Sequence, residues 1–349
     1  MGVRMELNDI LSQSWLRRGL LARALLPLAG LFSLLVTVRR ALYRLGWLRV
    51  ERLPVPVVVV GNIIVGGSGK TPLTLWLAQQ LQARGRRPGI VSRGHGSLGR
   101  SGPVREVRTD SDALQVGDEP LLLRRRSGLP LFVGRDRVAA ARAMLAAHPE
   151  CDLILSDDGL QHYRLGRDVE IAVLDARGQM NGWPLPAGPL REPLARLRRV
   201  DALVLNGTAT APVETLPVFH MRLVGATFYA LADHTRSCEA AALGNLRLAA
   251  VAGIGAPQGF FEHLSGLGLK FTAHAFPDHH RYTAADLSAI AADVLLMTEK
   301  DAVKCAGLTH RPVWVLPVSA QVEPARSGLD LAAHVERCIL EKPHGRPPA

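Results

Sequence analysis

A chain of 349 residues with 48% hydrophobic content is long enough for two domains with real cores and too apolar to be disordered. A formal charge of +11 favours an anionic partner, and 5% aromatic content leaves little stacking surface for nucleic acid, so a membrane surface or a phosphorylated substrate is the better match. Only five of the 42 cations are lysine, the arginines are scattered, and the four cysteines form no C-x-x-C pair, which excludes a zinc ribbon and fits a reduced, cytosolic setting.

The first element is apolar. Residues 24–38 carry no charge; Arg17 and Arg18 precede them, and Arg39, Arg40, Arg44 and Arg49 follow, interleaved with Tyr43 and Trp47. Such a run makes a helix of about 23 Å, short of the roughly 30 Å of a bilayer core, and Pro27 and Gly30 weaken it. The reading is a helix lying in or dipping into a membrane surface, with a true span and a helix buried in the protein as alternatives.

VPVVVVGN, IIVGGSG and KTPLTLWLAQQLQAR follow. A β-branched run, a glycine-rich loop and Gly-Lys-Thr opening an amphipathic helix are the order of a phosphate-binding P-loop. The backbone of Gly66, Gly67, Ser68 and Gly69 can turn its N–H groups around phosphate oxygens. Lys70 can reach the β- and γ-phosphates, and the Thr71 hydroxyl can ligate Mg²⁺. The general pattern has glycine where Ile64 stands.

GIVS is a second strand, ending in a turn with Arg93 and His95, at the strand end where α/β sheets bind ligands. Asp118 and Glu119 precede Pro120 and an apolar run, the pattern of a helix N-cap. Arg135 and Arg137 follow a strand ending at Gly134, a place suited to phosphate contacts. CDLILSDDGLQH is the second strong signal: an apolar strand ends in Asp157 and Asp158, where a P-loop protein holds Mg²⁺, with Gln161 and His162 just beyond. Two more strands, VEIAVLD and DALVLNG, flank a Gly- and Pro-rich loop, and 207–222 lack strong periodicity and read as a crossover. A second α/β unit follows, with Thr283 as an N-cap, and 340–349 read as a frayed tail.

The expected fold is therefore α/β: a P-loop, doubly wound, mainly parallel sheet, a smaller C-terminal α/β domain and an N-terminal membrane-associated helix. The expected boundaries are 1–50, 51–215, 216–340 and a tail at 341–349. His279 and His280, with His274, also admit a plain surface loop or an adventitious metal site.

GNIIVGGSGKTP (61–72), SRGHG (92–96), VGDEP (116–120), SDDGLQH (156–162), LPAGPLREP (185–193), GIGAP (253–257), FPDHH (276–280) and MTEKDAVK (297–304) occur in the order found in the tetraacyldisaccharide 4′-kinase family, which the chain resembles over most of residues 55–305. The resemblance implies ATP- and Mg²⁺-dependent phosphorylation of the 4′-hydroxyl of a tetraacyl glucosamine disaccharide 1-phosphate. It implies work at the cytoplasmic face of the bacterial inner membrane, as a peripheral or monotopic protein with no nucleic-acid partner; a monomer is expected. It implies Asp118 and His279 as a catalytic pair beside Lys70 and Asp157, and adds Glu192 to Thr71, Asp157 and Asp158 as a candidate metal ligand. Arg93, His95, Arg135, Gln161 and His162 are the candidate substrate contacts; the family often has tyrosine where His95 stands. Two other readings are a P-loop switch protein, which for guanine would carry [NT]-K-x-D where this chain has Thr298-Glu299-Lys300-Asp301, and a membrane-peripheral adaptor with a structural P-loop.

Overall fold

The computed structural model describes residues 11, 13–94, 103–213, 215–325, 328–342 and 344–345, so His95 lies outside the described residues. Helices α1 (Leu20–Ala24) and α2 (Leu26–Arg44) lead into β1 (Val57–Gly61), α3 (Lys70–Ala83), β2 (Pro88–Ser92) and β3 (Arg105–Glu106). Then come α4 (Ala113–Val116), α5 (Asp118–Ser127), β4 (Leu131–Val133), α6 (Arg137–Ala147), β5 (Leu153–Asp157), β6 (Val169–Leu174), β7 (Ala202–Asn206) and β8 (Val218–Val224). With β15 (Ser319–Glu323) they form a nine-stranded sheet, ordered β15-β8-β7-β6-β1-β5-β2-β4-β3. Its pairings are parallel except at the two edges, where β15 and β3 run antiparallel to β8 and β4.

Burial on both faces explains the valine run of β1. Val58 and Val60 pack into one core with Leu73, Leu77 and Leu81 of α3; Val57 and Val59 pack into the opposite core with Val138 and Met144 of α6. The strand order reverses at β1, with β5 on one side and β6 on the other, so the loops leaving β1 and β5 open at the crevice where such sheets bind ligands.

A six-stranded sheet follows, built from β9 (Thr227–Ala230), β10 (Asp233–Glu239), β11 (Leu248–Ala252), β12 (Phe271–Ala275), β13 (Val294–Thr298) and β14 (Val313–Leu316) in the order β10-β9-β14-β13-β11-β12. Helices α7 (Pro257–Gly266), α8 (Ala284–Ser288) and α9 (Glu299–Cys305) connect its strands, and Thr283 caps α8 in a capping box with Asp286. The chain then returns to the large sheet: β15 joins its edge, and Leu331, Val335 and Cys338 of α10 (Leu331–Glu341) enter the core that holds α3.

Sheet membership departs from the expected boundary at residue 215. Strand β8 lies in the stretch read as an aperiodic crossover, but Phe219 and Met221 point into the core at period two. The described part of the tail is not frayed: His344 Nδ1 lies 2.8 Å from Asp168 Oδ1 and its Nε2 2.8 Å from the Leu53 carbonyl.

The N-terminal helix is longer than the uncharged run. Pro27 stands in the first turn of α2, where its missing N–H has no intrahelical partner to lose, so it does not break the helix. Nineteen residues give about 28 Å, long and apolar enough to cross a membrane. Only Ala29 of α2 is buried, and Leu28, Leu31, Leu34, Leu35 and Val38 are exposed, which overturns the alternative of a helix buried in the protein. Its C-terminal end is anchored: the Arg39 guanidinium lies 5.2 Å from the Tyr163 ring centroid, and Tyr43 meets the same ring edge-on at 5.8 Å. Before α1, Trp15 donates to the Pro186 carbonyl at 2.9 Å and Arg18 to the Asn181 carbonyl at 3.0 Å.

Candidate active site

The glycine-rich loop between β1 and α3 is held from three sides. Asn62 Nδ2 donates to Ser68 Oγ at 3.0 Å, Asn206 Nδ2 to the Ser68 carbonyl at 3.2 Å, and Arg177 Nη2 to the Gly67 carbonyl at 2.7 Å. Gly66 and Gly69 have φ of 101° and 89°, and a Cβ at Gly69 would sit 2.7 Å from Asn206 Nδ2. Glycine is therefore required there by both conformation and space. Ile64, where the general motif has glycine, is buried and bridges Leu190; it serves the core rather than the loop. Helix α3 starts at Lys70 with no side-chain cap and no acidic residue in its first turn, which leaves its N–H groups and positive dipole end to an anion. Lys70 Nζ lies 3.4 Å from the Gly66 carbonyl and 3.8 Å from Asp158. This cradle fits a polyphosphate.

Two aspartates at the end of β5 behave oppositely. Asp157 is buried and accepts from Thr74 Oγ1 at 3.2 Å. Burial first, then the carboxylates of Glu119 and Asp158, push its pKa up to about 7. Asp158 has φ of 49° and lies 3.1 Å from Arg191 and 3.8 Å from Lys70. Burial opposes its ionisation, but those two cations hold it below the usual carboxylate range.

Asp157 is thus a buried carboxylate whose charge is incompletely balanced, and it fits a cation. Mg²⁺ usually takes one or two carboxylates and completes its shell with phosphate oxygens and water, so Thr71 and Asp157 suit it. The larger expected set is not assembled: no group of three His, Cys, Asp or Glu able to hold a metal occurs among the described residues. Glu192 is buried against Arg196, 3.3 Å away, and accepts from Gln161 at 2.9 Å; Asp158 is taken up by its cations.

Gln161 also donates to the Asn62 carbonyl at 2.9 Å, so it steadies the start of the P-loop. His162 accepts from the Arg137 backbone N–H at 3.3 Å, and burial with the Arg137 and Arg167 charges lowers its pKa to about 3. It is a neutral imidazole near pH 7. Arg93 and Arg135 are exposed at the ends of β2 and β4. Arg137 turns inward instead, donating to the Gly134 carbonyl at 2.8 Å, while its Nε has no partner among the described residues.

The second sheet supplies the other wall. Its loops bring Gly255 so close that a Cβ there would lie 3.1 Å from the Gly67 amide nitrogen. Between the walls lies a cleft of about 620 Å³, lined by the P-loop and by apolar side chains that include Leu75, Leu223, Ile254, Phe260 and Val318.

At one end of the cleft Asp118 meets His279. Asp118 is not the N-cap of α5: Gly117 is, with φ of 94°, and Asp118 is the buried first helical residue. His279 Nδ1 lies 2.9 and 3.0 Å from its two carboxylate oxygens, and Lys304 Nζ lies 3.5 Å from Oδ2. Burial raises the Asp118 pKa, but the His279 hydrogen bond and the charges of Lys300 and Lys304 outweigh it and bring it down to about 2. His279 has φ of 59° and donates its backbone N–H to Asp278 Oδ1 at 3.0 Å and to the Gly253 carbonyl at 3.2 Å. The histidine pKa is pushed up overall: burial lowers it most, and the Asp118 hydrogen bond together with the charges of Asp118 and Asp278 outweighs burial and the Lys300 charge. This arrangement replaces the readings of His279 as a bare surface loop or a metal site with His274.

The sequence reading missed Lys300, Lys304 and Glu119 as members of this cluster. Lys300 Nζ lies 2.8 Å from Glu119 and 3.0 Å from Asp278; Lys304 Nζ lies 3.1 Å from Asp301. The i,i+4 spacing of the two lysines, which puts both on one helix face, was the available signal.

The family model described as tetraacyldisaccharide-1-P 4′-kinase matches residues 21–336. A tetraacyldisaccharide 4′-kinase of Azoarcus sp. (strain BH72) is 52% identical over 337 residues, 96% of each chain. One of Dechloromonas aromatica (strain RCB) is 54% identical over 324 residues, 92% of each. Among solved structures, LpxK from Aquifex aeolicus in complex with ATP is 30% identical with a TM-score of 0.76, covering 92% of this chain and 100% of that one.

The Asp157 carboxyl yields a stability prediction. Its folded pKa of about 7 exceeds the unfolded value near 3.9, so it carries no penalty below about pH 4 and a growing one up to pH 7. The full penalty is on the order of a few kcal/mol. Asp157→Asn keeps the acceptor for Thr74 and removes the charge. Without nucleotide or metal, its thermal midpoint should exceed wild type at pH 8 and match it at pH 4, as read by circular dichroism; a lower midpoint at pH 8 would contradict the buried-charge account.

Proposed function

The chain belongs to the tetraacyldisaccharide 4′-kinase family, and we propose that the Asp118–His279 pair is the proton acceptor of its reaction. The enzyme transfers the γ-phosphate of ATP to the 4′-hydroxyl of a tetraacyl glucosamine disaccharide 1-phosphate, giving lipid IVA in lipid A biosynthesis. The observation that carries the proposal is the 2.9 Å contact between two residues 161 positions apart, one from each sheet's half, next to the cleft-lining Glu119 and Lys300.

The P-loop amides and Lys70 bind the phosphates, while Thr71 and Asp157 are the residues that would hold Mg²⁺, whose charge offsets that of the transferring phosphoryl group. Asp118 receives the proton of the 4′-hydroxyl as the new O–P bond forms and the bond to ADP breaks. A carboxylate with a pKa of about 2 is a weak base. In a loose transition state the nucleophile forms little bond before the leaving group departs, so its proton leaves late and a permanently ionised acceptor of fixed position suffices. His279 holds that carboxylate in place.

Helix α2 supports the reading of membrane association. Its exposed leucines and the flanking Arg23, Arg39, Arg40 and Arg44 suit an apolar face in the acyl region and cations at anionic headgroups. We assign the chain to the cytoplasmic face of the inner membrane, where ATP and a lipid-linked sugar meet.

Incubation with γ-labelled ATP and the lipid disaccharide should carry label into lipid. Label released only as free phosphate would favour a nucleotide switch, and no label in either would favour an adaptor. Leu31→Asn with Leu34→Asn should leave ATP binding intact while reducing co-sedimentation with phosphatidylglycerol-containing vesicles several-fold; undiminished sedimentation would place the anchor elsewhere.

A further inference from the structure

The dyad has a third neighbour to which the reaction as derived gives no task. Lys300 is the second residue of α9, and its side chain reaches into the cleft. Its Nζ lies 3.5 Å from His279 Nε2, the ring nitrogen opposite the one that meets Asp118. Glu119 at 2.8 Å and Asp278 at 3.0 Å fix the ammonium there, and their charges, with that of Asp118, keep it protonated despite burial. An ammonium only donates hydrogen bonds. The favourable partner at Nε2 is therefore a lone pair, which leaves the ring proton of a neutral imidazole on Nδ1, pointing at the carboxylate.

We propose that Lys300, donating to Nε2 of His279, is a positioning residue that fixes the Nδ1–H tautomer of the neutral imidazole and opposes its protonation, so that the ring N–H is committed to Asp118. The proposal rests on the reading of Asp118 and His279 as the proton acceptor. Among the described residues, groups facing His279 include Asp118 from α5, Asp278 from its own loop and Lys300 from α9, with Glu119, Asp301 and Lys304 one contact further out. The carboxylates favour the imidazolium, and the Lys300 charge opposes them. An imidazolium here would place a second N–H against the ammonium and would put a proton on the pair before the substrate delivers one. The lysine thus works against filling the acceptor in advance, limiting the upward shift that the carboxylates impose. Contacts at both ring nitrogens, to Asp118 at Nδ1 and Lys300 at Nε2, orient the ring between α5 and α9.

The full chain in detergent micelles, labelled with ¹⁵N-histidine, tests this. Ring ¹⁵N shifts of His279, assigned by comparison with His279→Asn, should report the neutral Nδ1–H tautomer in the wild type. In Lys300→Met the His279 pKa should rise by about one unit, as expected for removal of a like charge within about 4–6 Å. Turnover at pH 7 should fall several-fold, by up to about tenfold for a one-unit shift, and recover as pH rises, with KM for ATP little changed, and Lys300→Arg should restore most of both. A proton on Nε2 in the neutral wild type would overturn the proposal even if the methionine variant failed to fold. So would an unchanged His279 titration in Lys300→Met, or a loss that falls on KM for ATP, which would make Lys300 a phosphate ligand. Asp118→Ala is run in parallel: near-normal turnover there defeats the proton-acceptor reading itself, whereas a slow Asp118→Ala beside a normal Lys300→Met defeats the Lys300 assignment alone.

Discussion

Opposite charges on two short helices join the halves of this molecule. Helix α5, from the large sheet, begins with Asp118 and Glu119 and ends near Arg126; α9, from the small sheet, begins with Glu299 and carries Lys300 and Lys304. Arg126 meets Glu299 at 2.5 Å, Glu119 meets Lys300 at 2.8 Å, and Asp118 meets Lys304 at 3.5 Å. Most of these groups are largely removed from water, so an unmatched one would cost far more than a surface pair contributes. The seam therefore forms as a set. Its consequence is that a carboxylate in the first turn of one helix and a histidine on a loop of the other sheet come within hydrogen-bond distance beside the phosphate cradle.

Gly117 shows how local sequence serves that seam. Its φ of 94° and ψ of 150° are open to glycine alone among common residues, and as N-cap it lets α5 start at Asp118 without a preceding side-chain cap. The carboxylate still accepts the Glu119 backbone N–H at 2.9 Å, and the same oxygen meets His279. The cradle depends on glycine in the same way at Gly69, where Asn206 and Met221 leave no room for a Cβ. A second buried ion cluster steadies the opposite flank: Glu170 accepts from Arg167 at 2.9 Å and from Arg196 at 2.5 Å, and Arg196 reaches Glu192, which holds Gln161 against the start of the P-loop. Tyr163, under the foot of α2, lies in the same network, where burial and Glu192 raise its pKa. The apolar helix and the phosphate loop are thus braced by one continuous set of contacts.

The large sheet was readable in the sequence because its strands are buried on both faces and read as unbroken apolar runs, with the motif residues at their ends. The P-loop, Asp157 and the Asp118–His279 pair were named from motifs, the last by family resemblance; no periodicity relates positions 161 residues apart. Strand β8 was missed because its Phe219 and Met221 alternate with exposed residues in a window cut short at 222. The return of β15 to the large sheet was missed because a five-residue edge strand carries no sign of which sheet it will join. The surroundings of Glu192 were not legible: a glutamate in a loop gives no hint that Arg196, four residues on, lies 3.3 Å from it. Lys300 and Lys304 were in view but unweighted, since their meaning depends on what α5 presents to them.

If Asp118 and His279 act as one unit, a double-mutant cycle on kcat/KM will show it. Asp118→Ala and His279→Ala should each lose on the order of 10²–10⁴ in rate, the scale of general acid–base catalysis. The double variant, checked for an unchanged fold by circular dichroism, should lose little more than the slower single one, because removing either partner already disables the pair. Losses that multiply, or a single variant with near-normal turnover, would contradict the claim.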